Sequence, residues 1–502
     1  MDSADPEVYT SSGRVRGSVD DGVAVFRGIP FARPPVGALR FRAPQPPQAW
    51  DGVRDATRFG SPAPQAPFPG APPAPPAGND SGEWLTLNVW TPDPHARTLP
   101  VLVWIHGGAY LFGSAAEPGY DGTRFAAAGA VFVSCNYRLG VEGFAQIPGA
   151  PANRGLLDVV AALRWVKENV GQFGGDPANI TVFGESAGAG VISALLAMDE
   201  ATGLFTRAVA QSVPGTVFTL GLAGDITGAI AEAAGVPTTY EALSATSPAR
   251  LVDAAMSVTG RMKRFAQWGP VRLTDTPFSP VVDGEVLPRA PWRALLSGAA
   301  RKVELLTGHN RDEYRLFIAM SGRLGRITDE DAATVLDNFA PGPDGPARYR
   351  KAYPDADSGR LFELVFSDWL FRMPTLHLAQ AHAASGGKTF LYELRAEAPA
   401  APGMFGACHA LDVPLVFGSA GQGIGAALTG EQPPREFLVL GDLMRSEWLR
   451  FATCGDPGWP VYGTVHRTTR VYDLQPDVRP YPEEASMHLW ERHQFDALGL
   501  IG

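Results

Sequence analysis

Gly184-Glu185-Ser186-Ala187-Gly188 follows a short β-prone run at 180–183 (Ile-Thr-Val-Phe) and opens a helical run that continues to Met198, so a serine sits on a tight strand-to-helix turn. Such a turn brings neighbouring chain close, and the flanking glycines remove the Cβ atoms that would clash there. The serine oxygen is left exposed above the strand end. The amide of Ala187, at the helix N-terminus, is placed to donate to a negative charge developing on a bound group.

Around that turn, strands and helices alternate. Strands are expected at 85–90, 101–105, 131–137, 180–183 and 207–211, with helices near 122–128, 155–170 and 187–198. Buried β runs alternating with helices predict an α/β fold, a large and mostly parallel central sheet flanked by helices. In 155–170, Leu156, Val159, Val160, Leu163, Val166 and Val170 recur at helical spacing, a face made to pack on that sheet. Upstream, residues 12–26 read as a hairpin. Residues 30–48 are too proline-rich for regular structure and are expected to be pinned by Phe31, Phe41 and Trp50. The proline-alanine stretch 61–78 reads as an exposed loop. From 225 to 345 the pattern turns helical and irregular, where an insertion over the site is expected. Strands return at 303–307 and 389–394, and helices at 441–453 and 483–498 close the chain.

Composition narrows the function classes. The chain has 502 residues, 45% hydrophobic and 19% charged, with a formal net charge of −10 and no block of lysine or arginine. That balance argues against nucleic acid or an anionic membrane as partner. No apolar run approaches the roughly 20 residues that span a bilayer. The three cysteines, Cys135, Cys408 and Cys454, imply no disulfide framework in so long a chain. Residues 1–7 have neither the basic start nor the apolar core of a secretory signal, so a cytoplasmic placement is expected; a secreted form with its leader removed has the same appearance. The sequons at Asn79 and Asn179 carry little meaning without an extracellular context.

A serine nucleophile needs a base for its proton and a carboxylate to hold that base. Among the nine histidines, His377 and His382 fall in a helix-like stretch, and His466, His488 and His493 in the polar C-terminal part. His409 ends the small-residue loop Gly403-Met404-Phe405-Gly406-Ala407-Cys408, which suits an imidazole carried to the mouth of a site. For the acid, the strand at 303–307 runs into Gly308-His309-Asn310-Arg311-Asp312-Glu313, and spacing leaves Asp312 and Glu313 equally placed at its C-terminal end. A glycine turn after an early strand is the expected second oxyanion element, and His106-Gly107-Gly108-Ala109 after 101–105 fits. His106 itself reads as a structural hydrogen-bonding residue.

Together these residues resemble the type B carboxylesterases, the branch of the α/β-hydrolases that includes para-nitrobenzyl esterases and cholinesterases. The resemblance runs from Phe26 to about Tyr462. Its most specific stretch is Phe26-Arg27-Gly28-Ile29-Pro30-Phe31-Ala32-Arg33-Pro34-Pro35-Val36-Gly37 with Leu39-Arg40-Phe41. Leu87-Asn88-Val89-Trp90, Asn136-Tyr137-Arg138-Leu139-Gly140, the block 173–181 and Gln211-Ser212 match further. The resemblance implies one α/β-hydrolase domain over 7–498, with a helical insertion at about 225–375 capping the active site. It implies a triad of Ser186, Glu313 and His409, with Val416-Phe417-Gly418 following the histidine as in the family. Gly108, Ala109 and Ala187 would form the oxyanion hole, with Asp312, Ser212 and Glu185 supporting the reacting groups. Met262, Phe265, Trp268, Leu316, Phe317 and Phe371 are the expected pocket wall, suited to apolar acyl or aryl groups. Trp84 stands where eukaryotic members carry a cysteine, which favours a bacterial-type, cytoplasmic member.

The activity so implied is hydrolysis of small carboxylic esters through an acyl-enzyme, by a monomer that needs no metal or cofactor. Carbamate or aryl-amide cleavage is the alternative within enzymes, since the same chemistry serves a poorer leaving group if the histidine protonates it. A non-catalytic binding member is disfavoured because the serine and the histidine are both present. Metal and nucleotide motifs fail on spacing: no H-E-x-x-H or C-x-x-C occurs, Gly387-Lys388-Thr389 has His382 where a phosphate loop needs glycine, and Gly421, Gly423 and Gly425 read as a surface loop.

Overall fold

The computed structural model describes residues 5–67 and 82–501. The chain divides into two compact units, one holding Met1–Ala208, Val217–Ala290 and Ala497–Gly502, the other Val209–Thr216 and Pro291–Asp496.

In the first unit, six strands lie in one sheet: β1 (Ser18–Asp20), β2 (Val23–Pro30), β3 (Thr86–Thr91), β4 (Leu99–Ile105), β5 (Val131–Cys135) and β6 (Gly175–Glu185). Their spatial order is β6-β4-β5-β3-β2-β1. β4 runs parallel to both β5 and β6, and the outer pairs are antiparallel. Residues 101–105 and 131–135 are buried on both faces, which is why they read as unbroken apolar runs instead of alternating. Helix α1 (Arg154–Asn169) buries the stripe its spacing predicts, and α2 (Ala187–Leu195) begins directly beyond β6.

The second unit carries the strand β7 (Arg207–Gln211) from Val209 onward, then β8 (Glu304–Asn310), β9 (Thr389–Leu394), β10 (Thr468–Tyr472) and β11 (Asp477–Pro480). β8, β9 and β10 are parallel, and β11 closes the edge antiparallel. β7 lies along β8, where Thr307 Oγ1 donates to the Ala210 carbonyl (2.7 Å) and the Ser212 amide to Gly308 (2.7 Å). Helices α3 (Ser358–Ser367) and α4 (Met373–Ala384) are joined by a π-helical turn, Asp368–Arg372.

Several sequence expectations are corrected. The last helix is short, Glu484–Trp490, not 483–498; the chain leaves it so that Phe495 stacks parallel to Trp490 at 5.7 Å. Residues expected as a glycine surface loop include a helix, Gly423–Thr429, formed by the alanines and Leu428 that follow the glycines. The penultimate helix begins earlier, spanning Arg435–Cys454. Residues 61–67 are not a freely exposed loop: the Gln65 side-chain amide bonds both to and from Gly113 at 2.9 Å. The remainder of that stretch, 68–78, and the sequon at Asn79 lie outside the described residues. The second sequon is part of β6, with Thr181 fully buried.

Candidate active site

Ser186 occupies the turn between β6 and α2 with φ 56° and ψ −124°, a conformation a non-glycine residue holds only under the constraint of its surroundings. Those surroundings are the end of β4. A Cβ on Gly184 would stand 2.6 Å from the Ile105 carbonyl oxygen, and one on Gly188 only 2.1 Å from the same atom. The two glycines of the motif are therefore required by close approach, as the sequence suggests. Gly188→Ala is expected to cost about 1–3 kcal/mol of stability, because the obstructing atom is backbone. Chemical denaturation of the variant measures this, and an unchanged midpoint contradicts it.

The glycine turn after β4 lies against the serine. A Cβ on Gly107 would be 3.2 Å from Ser186 Cβ and 3.0 Å from Glu185 Oε2, with Glu185 itself buried. Gly108 (φ 110°), Ala109 (φ 55°) and Tyr110 (φ 59°) all have positive φ, and the Gly108 carbonyl accepts from both Leu111 and Phe112 at 2.9 Å. This strained loop holds the backbone at 108–109 in a fixed orientation. His106 is structural, as expected. Its Nδ1–H donates to the Gly107 carbonyl (2.8 Å), its ring stacks on Tyr137 at 4.5 Å, and burial lowers its pKa to about 4.

In the second unit, Glu313 follows β8 and is wholly buried. Its Oε2 accepts from His409 Nδ1 at 2.6 Å, while Oε1 accepts from the Ser212 hydroxyl (2.6 Å) and the Asn310 amide (2.8 Å). An ionised carboxylate only accepts, so Nδ1 carries the proton and Nε2 of the neutral ring keeps its lone pair. Of the two acids that spacing leaves open, Glu313, not Asp312, contacts the imidazole. Asp312 instead accepts from Arg311 (2.7 and 2.9 Å), Arg360 (3.1 Å) and the Ala407 amide (3.1 Å). Burial alone would raise the Asp312 carboxyl, but these partners outweigh it and hold it below the ordinary value. Gly406, at φ 58°, leaves room for it, since a Cβ there would stand 2.6 Å from Asp312 Oδ2. Asp312 thus holds the loop that carries His409.

Phe371, from the π-helical turn, stacks on the His409 ring at 4.2 Å, and Phe317 tilts against it at 5.3 Å. Leu316 is buried beside Phe317 on the short helix Arg315–Met320. In the first unit, Phe265 stacks on Trp268 at 4.0 Å; Met262 and Trp268 are buried, and the Trp268 indole donates to Asp225 (2.6 Å), so Phe265 alone of the three keeps partly open surface. The other histidines considered stand elsewhere. His377 packs edge-on to Phe495, His382 bonds Thr389, and His466 and His488 are exposed.

Sequence reasoning missed Asn310 and Arg315. Asn310 Nδ2 donates to the Cys408 carbonyl (2.7 Å), and Arg315 grips the carbonyls of Gly403 and Met404 (2.5 and 2.8 Å). Their partners lie some ninety residues away, beyond any local pattern. Cys408 is buried, and burial pushes its thiol up, as suits a small filler. Among the described residues, no group of three or more His, Cys, Asp or Glu side chains is arranged to hold a metal ion, and no helix is long and apolar enough to cross a membrane.

A strained serine at a strand-to-helix turn and an imidazole held by a buried glutamate define the parts of a serine hydrolase. The sequence model of the carboxylesterase family matches residues 4–490, and the chain belongs to that family. It is 36% identical over 489 residues to the para-nitrobenzyl esterase of Bacillus subtilis, covering 95% of this chain and 96% of that protein. It is 33% identical to the phenmedipham hydrolase of Pseudarthrobacter oxydans, covering 91% of this chain and 93% of that one. Its structure matches the carboxylesterase of Geobacillus stearothermophilus with a TM-score of 0.84 at 37% identity, over 96% of this chain and 99% of the other. The fold is that of the α/β-hydrolases, and the protein is a carboxylic ester hydrolase acting on small ester substrates.

Proposed function

We propose that Ser186, His409 and Glu313 act as one triad. Ser186 attacks the ester carbonyl as His409 Nε2 takes its proton, and Glu313 stabilises the imidazolium through Nδ1. The amides of Gly108, Ala109 and Ala187 receive the tetrahedral oxyanion. His409 then returns the proton to the leaving alcohol, and water, activated by the same imidazole, releases the acid from the acyl-enzyme. The observation that carries this reading is the Glu313–His409 bond of 2.6 Å, made by a carboxylate already fixed by Ser212 and Asn310. Ser212 and Asp312 serve as supports, and Glu185 lines the loop beside the serine. Phe317 and Phe371, with Phe265, favour apolar acyl or aryl substrates, para-nitrobenzyl esters among them.

The test is pre-steady-state hydrolysis of an activated aryl ester. A burst of alcohol release, equal to the enzyme present and followed by slower turnover, is expected. Release without a burst, together with no acyl adduct by mass spectrometry at any substrate concentration, contradicts the acyl-enzyme. Rates on a matched ester, carbamate and anilide decide the leaving-group class, with the ester expected to be fastest.

The chain also reads as a monomeric, bacterial-type cytoplasmic enzyme in which residues 7–498 act as one catalytic domain. Trp84 at the family cysteine position and the free thiols of Cys135, Cys408 and Cys454 support the bacterial-type, cytoplasmic reading. Dialysis against a strong chelator and, separately, excess thiol are each expected to leave kcat/KM unchanged. Loss with the chelator that zinc or calcium restores contradicts a mechanism without metal, and inactivation by thiol contradicts the cytoplasmic placement.

A further inference from the structure

Behind the Glu313–His409 pair lies a second carboxylate that the mechanism leaves unused. Asp412, three residues beyond the imidazole, opens the short helix Asp412–Phe417 and is wholly buried. Its Oδ2 accepts from Gln211 Nε2 at 2.8 Å and from the Tyr392 hydroxyl at 2.7 Å, and its Oδ1 faces Asn310 Nδ2 at 3.5 Å. Gln211 is fixed in turn by the Trp448 indole, which donates to its carbonyl at 3.3 Å. The side-chain amides of Gln211 and Asn310 present N–H groups to Asp412, and the Tyr392 hydroxyl donates to it, a setting that suits an ionised carboxylate. Keeping such a group buried costs stability unless it is matched, and an apolar cluster of the same shape would serve the fold as well.

The groups that hold Asp412 are those that hold the triad acid, or their neighbours. Asn310 gives its backbone amide to Glu313 and turns its side chain to Asp412 and to the carbonyl of Cys408, the residue before His409. Gln211 precedes Ser212, whose hydroxyl bonds Glu313. We propose that Asp412 is a positioning residue for ester hydrolysis: its carboxylate braces the turn that carries His409 and supplies a second negative charge that favours the imidazolium. This rests on the reading of His409 as the general base.

The titratable groups facing Asp412 are few. Glu313 opposes its ionisation and His409 favours it; the Cys408 thiol is kept protonated by burial and by the carboxylates Glu313, Asp312 and Asp412 around it; Tyr392 donates. The long helix Arg435–Cys454 presents the neutral Trp448 here, while Glu447 is turned to Arg470 and Tyr472. Burial holds the Asp412 carboxyl above its ordinary value, against the opposing pull of Gln211 and Tyr392. Because an ionised Asp412 stabilises protonated His409, removing its charge lowers the imidazole pKa. The acid limb of kcat/KM then moves to lower pH.

The test is the pH profile of Asp412→Asn, a variant of the same shape without the charge. The acid limb is expected to fall by about half to one pH unit, with kcat at neutral pH lower by about 3- to 10-fold. A loss of activity with the limb unmoved overturns the proposal and makes Asp412 merely structural. Should that variant not fold, Asp412→Leu combined with Gln211→Met, Tyr392→Phe and Trp448→Phe removes the charge, the two donors to Oδ2 and the indole N–H that Gln211 holds, while Asn310 keeps its bond to the Cys408 carbonyl. The same downward shift is expected, and an unmoved limb again overturns the proposal. His409→Ala separates the two readings. If it keeps activity, the base is misassigned; if it is inactive while the Asp412→Asn limb stays in place, only the role of Asp412 fails.

Discussion

Ser186→Ala is expected to fold normally and to hydrolyse an activated aryl ester about three orders of magnitude more slowly, or worse. The serine side chain is a minor part of the packing at its turn, which is shaped by Gly184 and Gly188 against the Ile105 carbonyl and by Gly107 against the serine Cβ. Alanine keeps that Cβ and loses only the hydroxyl, so thermal unfolding should be nearly unchanged. Residual turnover is expected from oxyanion stabilisation and substrate binding, which survive the loss of the nucleophile. Retention of more than about a tenth of wild-type kcat, a threshold far above what triad removal leaves, would place the nucleophile elsewhere.

Glu313→Gln is expected to lower kcat by about 10³- to 10⁴-fold, the scale seen when a triad carboxylate becomes an amide. Glutamine presents an N–H as well as a carbonyl, so His409 is no longer held in the tautomer that leaves Nε2 free, and the imidazolium loses its counter-charge. Ser212 and Asn310 both donate to one oxygen of Glu313, so the amide would orient its carbonyl toward them and its NH₂ toward His409. Asp312→Asn is expected to behave differently, with kcat within about tenfold of wild type and stability lower by about 1–3 kcal/mol. Its partners Arg311 and Arg360 are partly solvent-exposed, which weakens each pair, while the Ala407 amide is buried. Kinetics and denaturation of the two variants side by side decide the matter. If Asp312→Asn is the inactive one while both are folded, the roles are reversed.

Much of the fold and of the site is legible in the amino-acid sequence. The turn at Ser186 can be read there because its requirements are local: a β run, two glycines and a helix within a dozen residues. The unbroken apolar strands at 101–105 and 131–135 are legible for the same reason. The choice between Asp312 and Glu313 is not, because they leave the same strand end one residue apart, and only contact with His409, 96 residues on, tells them apart. Family resemblance supplies what spacing does not. Asn310, Arg315 and Asp412 escape because each acts through partners distant in sequence, and an asparagine, arginine or aspartate by itself carries no signature of such a role. The shortened last helix shows the opposite limit: helical propensity continues past Trp490, but seating Phe495 in the core outweighs it.

In the proposed triad, Ser186 is made nucleophilic by His409 held on Glu313. The most direct measurement of this is mass spectrometry after reaction with an organophosphonate, run on the wild type and on His409→Ala. A single adduct on Ser186 is expected in the wild type, formed in step with loss of activity, with labelling slower by about two orders of magnitude or more without the base. An adduct on another serine, or equal labelling of Ser186 in both proteins, would contradict the triad.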